Sequence, residues 1–139
     1  MSRIDRCQLV PLRRISAPQG SITPVESGRD LPFAIERVYY LYDVPGGESR
    51  GGHAHYALEQ LLVCVMGAFD VVIDDGAYRR TVRLDRAYQG LYICPLIWRE
   101  LHNFSSGAIC LVLASDVYRE SDYIRDYAHF QAVAKPEQT

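Results

Sequence analysis

The feature that most constrains this chain is a succession of short β-branched or aromatic runs, each closed by turn-forming residues. The runs fall at 8–12, 21–25, 35–42, 52–56, 60–66, 69–74, 78–84, 90–93, 98–103 and 108–114. Asp74-Asp75-Gly76 separates two of them as a hairpin turn, because Gly accepts the positive φ such a turn needs. Pro45-Gly46-Gly47 and Ser105-Ser106-Gly107 mark further breaks. With almost no helical periodicity, the pattern predicts an all-β sandwich or barrel. Only the tail departs from it. Ile124, Tyr127, Phe130 and Val133 recur at spacings of three and predict a short C-terminal helix over 122–134. Residues 136–139 are expected to fray. The length of 139 residues suits a single domain, 1–139.

A hydrophobic fraction of 48% and a charged fraction of 23% allow an ordinary core without a disulfide or zinc staple. The net charge of -2, with no run of like charge, argues against capture of nucleic acid or of an anionic membrane. No apolar stretch reaches membrane-span length, and the N-terminus leads into no signal segment, so the expected location is the cytoplasm. Cys7, Cys64, Cys94 and Cys110 are widely separated and read as buried free thiols.

The chemistry concentrates in Arg50-Gly51-Gly52-His53-Ala54-His55, with Glu59 four residues on. On a strand, His53 and His55 share a face, about 7 Å apart along the backbone, and can converge on one small ligand. The H-x-H-x3-E spacing followed by Gly67 matches the first motif of the cupin superfamily, where it often supplies metal ligands. A His/His/Glu set suits iron, manganese or zinc. The second cupin motif departs from its pattern. Ile97 stands at the usual glycine and Glu100 at the usual third histidine, with Arg99 beside it. A fixed guanidinium charge weakens cation binding. His102 or Glu100 could still complete a metal site. Without metal, two imidazoles with ordinary pKa near 6.5 suit reversible proton transfer, as a keto–enol isomerase requires.

These stretches, with Pro32–Tyr40, Leu58-Glu59-Gln60, Gly90-Leu91-Tyr92, Leu113–Asp116 and Glu120–Arg125, resemble the dTDP-sugar 3,4-ketoisomerases over roughly residues 20–130. The resemblance implies a cupin (RmlC-like) jelly roll that uses no metal or other cofactor. It implies conversion of dTDP-4-keto-6-deoxyglucose to its 3-keto isomer, for the making of 3-amino-3,6-dideoxy sugars. It further implies a homodimer that exchanges N-terminal strands. Within it, His53 would remove the C3 proton, His55 would shuttle a proton between the C3 and C4 oxygens, and Tyr39 would line the sugar pocket. Many members carry Arg at the position of Gln19 and His at that of Arg99. Because Arg is a poor acid, Arg99 is expected to favour the gluco product at C4.

The remaining site residues each have two readings. Arg50 suits a pyrophosphate oxygen or an ion pair with Glu48 or Glu59. Gln60 suits a cavity hydrogen bond or a satisfied core amide. Trp98 suits stacking on a base or plain core packing. A metal-dependent cupin, a metal-free 3,5-epimerase and a non-catalytic sugar-binding cupin stand as alternatives to the ketoisomerase.

Overall fold

A computed structural model describes residues 2–135, so the tail at 136–139 lies outside the described residues. Its strands are β1 (Leu9–Pro11), β2 (Ile15–Ala17), β3 (Gly20–Ile22), β4 (Arg37–Leu41), β5 (Arg50–His55), β6 (Gln60–Met66), β7 (Phe69–Asp74), β8 (Arg79–Leu84), β9 (Gln89–Ile93), β10 (Trp98–His102), β11 (Ile109–Ala114) and β12 (Tyr123–Ile124). One helix, α1 (Tyr127–Val133), follows. Two five-stranded antiparallel sheets, ordered β1-β9-β6-β11-β4 and β12-β5-β10-β7-β8, make the jelly roll of a cupin.

Alternation along the strands sets the core. On β7, Phe69, Val71 and Ile73 are fully buried, while Asp70 and Val72 between them are half-exposed. They meet Leu62, Cys64, Leu91, Ile93 and Cys110 from the other sheet. Strand β6 reads as an unbroken apolar run because both its faces are covered. Leu61 and Val63 pack outward against Leu12, Leu31 and Phe33. All four cysteines are buried free thiols, with Cys7 and Cys94 Sγ atoms 3.8 Å apart. Among the described residues, no helix is long and apolar enough to cross a membrane.

The expected hairpin at Asp74-Asp75-Gly76 joins β7 to β8. Gly76 takes φ +95°, and Asp75 Oδ1 accepts the amides of Ala77 and Tyr78 at 2.9 and 2.7 Å. Two expectations need correction. The run at 21–25 starts and ends earlier, as β3, because it pairs with β2 around a Pro18-Gln19 turn. The helix is shorter than 122–134. Tyr123 and Ile124 are drawn into pairing with His55 and Ala54, so α1 starts only after Asp126, whose side chain accepts the His129 amide.

Candidate active site

The site grows from an irregularity in the pairing of β5 with β10. Arg99 lies opposite His53, but Glu100 lies opposite Gly51, so Gly52 is an extra residue on β5. Gly52 and Gly51 take φ +64° and +94°, a region open to glycine at little cost. A Cβ on Gly51 would sit 3.1 Å from the Arg99 carbonyl oxygen and 3.3 Å from Glu100 Cα. The two glycines thus let β5 bulge while staying tight on β10. Bulges of this kind re-aim a side chain, here His53, towards the barrel interior.

His53 lines a cavity of about 540 Å³ between the sheets. Gln60 and Arg99, each 2% exposed, form its floor with Tyr39. Gln60 joins the other two. Its Oε1 accepts a short hydrogen bond from Arg99 Nη1, and its Nε2 donates to Tyr39 Oη at 3.1 Å. The Tyr39 hydroxyl proton is left to point into the cavity, and burial raises the pKa of that phenol. Arg99 Nε and Nη2 both donate to the Ile97 carbonyl, at 3.2 and 3.1 Å.

His55 lies one ring deeper. It is 1% exposed and faces a second cavity of about 370 Å³ rather than the first. The His53 and His55 ring centroids are 4.9 Å apart and nearly perpendicular, with the Tyr123 ring 5.1 and 4.3 Å from them. Asp122 Oδ2 lies 3.1 Å from His55 Nδ1, and the same carboxylate accepts the amides of Ala57 and Leu58. An ionised carboxylate only accepts, so His55 carries its proton on Nδ1 and presents a basic Nε2. The Nε2 atoms of both histidines are buried and have no partner among the described residues. Burial first, and the Arg99 charge second, push His53 down to about 4. The same two causes, burial first and the Arg99 charge second, push His55 lower still. Both rings are neutral at pH 7, the form a general base needs.

The donors of the cupin metal motif do not converge. Glu59 turns away and accepts from Tyr92 Oη at 2.5 Å. Glu100 lies on the outward side of β10, bound to Trp98 Nε1 and His102 Nε2 at 2.8 and 3.0 Å. Neither Glu100 nor His102 completes a site, and Arg99 fills the space beside His53. Among the described residues, no group of three or more His, Cys, Asp or Glu side chains could hold a metal ion.

Two sequence-derived site residues fall elsewhere. Trp98 alternates outward from Arg99 and packs against Tyr127 and Phe130 beneath α1, as core rather than as a stacking platform. Gln19 sits exposed in the β2–β3 turn, away from this chain's cavity. Arg50 does stand at the cavity mouth, without an ion pair to Glu48 or Glu59 among the described residues.

Several residues at the mouth escaped the sequence reading. Arg37 stacks over Tyr39 and Tyr118, and its buried Nε lacks a partner among the described residues. Arg125 lies 4.2 Å over the Tyr123 ring and pairs with Glu120. Asp122, Tyr123 and Arg125 were legible as part of the family resemblance and as the start of a helix, but not as site residues. The available clue was Tyr123-Ile124, a strand-favouring pair ahead of the Asp126 cap.

The chain matches the family described as FdtA: WxcM-like, C-terminal, over residues 5–135. It belongs to that family. One relative, the TDP-4-oxo-6-deoxy-alpha-D-glucose-3,4-oxoisomerase of Aneurinibacillus thermoaerophilus, is 44% identical over 124 residues, covering 89% of each chain. Among solved structures, a mutant of the 3,4-ketoisomerase QdtA from Thermoanaerobacterium thermosaccharolyticum, in complex with TDP-4-keto-6-deoxyglucose, superposes with a TM-score of 0.91. It is 38% identical, with 92% of this chain and 93% of that one covered. The WlaRB TDP-quinovose 3,4-ketoisomerase from Campylobacter jejuni is 43% identical with a TM-score of 0.87, covering 91% and 97%.

Proposed function

We propose that this chain is a metal-free TDP-sugar 3,4-ketoisomerase acting on TDP-4-keto-6-deoxyglucose. The observation that carries the reading is His53. It is a neutral imidazole with a free, buried Nε2, aimed by a bulge into a cavity whose floor holds a guanidinium and a phenol. The relatives' substrates support the choice of sugar nucleotide. His53 takes the proton from C3, next to the C4 ketone. The C–H electron pair becomes a C=C bond and the carbonyl becomes an enediolate oxygen. His55, with Nδ1 tied to Asp122 and Nε2 free, moves the hydroxyl proton between the C3 and C4 oxygens. Tyr39 orients the sugar by donating its hydroxyl proton. Returning a proton to C4 gives the 3-keto sugar, with no net gain or loss of atoms or electrons. The sugar must settle against His53 and Tyr123 to bring His55 within reach.

The exposed cation Arg50 at the mouth, without a carboxylate partner among the described residues, suits the diphosphate through charge-assisted hydrogen bonds. Arg99, a poor acid, leaves the gluco configuration at C4. The 3-keto product carries the ketone that an aminotransferase needs to make a 3-amino-3,6-dideoxy sugar. We assign the enzyme to the cytoplasm. We also assign it a strand-exchanged homodimer, which two features support. Among the described residues the β2–β3 hairpin pairs only with itself, and it exposes Ile15 and Ile22. Edge strand β4 exposes Val38 and Tyr40, and Tyr42 is exposed just beyond its end. Proton NMR of the product tests the reading. A 3-keto sugar with gluco couplings at C4 is expected, and an unchanged substrate spectrum would overturn the activity.

A further inference from the structure

Arg99 carries a charge that the resting protein leaves unanswered. Arg13, Arg79, Arg83, Arg119 and Arg125 each pair with a carboxylate. Arg99 is the more deeply buried, at 2% exposure, yet no carboxylate lies within 4.0 Å of it among the described residues. Its hydrogen bonds go only to neutral acceptors, the Ile97 carbonyl and the Gln60 amide. A buried cation without a counter-charge is strongly destabilising. Placed in a cavity wall, it is relieved when negative charge arrives beside it.

The origin of that negative charge follows from position. The permanently charged diphosphate has the exposed mouth cation Arg50 available. Arg99 lies on the floor, directly across the strand pair from His53. The part of the substrate that meets His53 is a neutral sugar ring, so charge develops there only during the reaction. When His53 removes the proton beside the ketone, the carbonyl π pair moves onto oxygen. That oxygen stays negative until a hydroxyl proton reaches it. We infer that Arg99 is the electrostatic stabiliser of this enediolate oxygen, held in place by Gln60 and the Ile97 carbonyl. The assignment rests on the ketoisomerase reading and gives Arg99 a role in the rate of enolisation, beyond the configuration of the product. The same charge helps keep His53 unprotonated, alongside Arg125 and against a hydrogen bond that the ring donates to the Gly51 backbone. Oxyanion stabilisation in a desolvated site needs no reorganisation at the moment of reaction.

Arg99→Gln removes the charge and keeps a hydrogen-bonding group, and Arg99→Met gives a second variant without the buried cation in case the first misfolds. In deuterated buffer with saturating TDP-4-keto-6-deoxyglucose, deuterium entry at the sugar carbon and turnover should fall together, by roughly 10²–10³-fold. KM and the calorimetric affinity for TDP should stay within about threefold, the pattern of an interaction made only in the transition state. The NMR titration midpoint of His53, which needs no substrate, should move up. Arg99→Lys should restore part of the rate and return the midpoint. Undiminished deuterium entry with only the C4 configuration altered would overturn the proposal. So would a raised KM at unchanged kcat, or an unmoved His53 midpoint in a folded variant. A wild type inert towards this substrate would remove the ketoisomerase reading instead. The His53 titration would then decide alone whether the Arg99 charge acts on the reacting edge.

Discussion

The floor and the mouth of the main cavity are built by opposite means. On the floor, Arg99 and Gln60 are each 2% exposed, locked by side-chain and carbonyl hydrogen bonds, and carried on central strands β10 and β6. At the mouth, Arg50, Tyr118 and Arg125 are exposed and sit on strand ends or loops. A charge on the floor feels little screening, so its effect on a reacting oxygen is large. A charge at the mouth is screened by water and changes affinity modestly. The floor should therefore govern kcat and the mouth KM.

The comparison breaks most visibly at the base. His53→Asn keeps the shape and hydrogen bonding of the side chain but removes the proton acceptor. Turnover should fall by about 10²–10⁴-fold, with TDP affinity unchanged by calorimetry. Near-normal turnover would take His53 out of the mechanism and dissolve the distinction. Asp122→Asn should cost less. It exchanges a charge-assisted hydrogen bond for a neutral one and releases the His55 tautomer, so kcat should drop by roughly 10–100-fold, the equivalent of about 1.5–3 kcal/mol. Steady-state kinetics would show the loss in kcat rather than KM. At the mouth, Arg50→Ala should raise KM by roughly threefold to tenfold and leave kcat in place, the signature of uniform binding. A fall in kcat instead would extend the chemistry to the mouth.

The smallest effect concerns stability. His53 titrates at about 4 in the folded chain and near 6.5 when unfolded. Between those values the unfolded chain binds more protons, so His53's contribution is complete above about pH 6.5 and is lost as the pH falls towards 4. The thermal midpoint should decline over that window, with buried His55 adding to the decline, and His53→Asn should make it shallower without abolishing it. An equal slope in the variant would assign it to other groups. For kcat/KM, which reports the free enzyme, the base limb should likewise lie below neutrality.

How much of this was legible in the sequence depends on the range of the interaction. Strands β5 to β11 announced themselves, because alternation and turn chemistry are local: β6 and β7 run as expected, Gln60–Met66 and Phe69–Asp74. His53, Tyr39, Gln60 and Arg99 were found from spacing and resemblance, and they meet in one cavity. Asp122 was not found as a partner of His55, because the two are 67 residues apart and joined only when β12 pairs with β5. Trp98 and Arg99 are neighbours in the chain, yet the pleat sends one under α1 and the other to the cavity floor. Gln19 lies in the turn of the β2–β3 hairpin, which among the described residues joins neither large sheet, so its position relative to the cavity followed from no local pattern. The metal reading likewise turned on orientation. Spacing gives Glu59 and Glu100 as donors, but Tyr92, Trp98 and His102 claim their carboxylates.

The most direct test of the central claim is proton NMR of chelator-treated protein with TDP-4-keto-6-deoxyglucose in deuterated buffer. The account predicts deuterium entering the sugar ring and a 3-keto product at full rate without metal. A spectrum that stays unchanged until a divalent cation is added would contradict it.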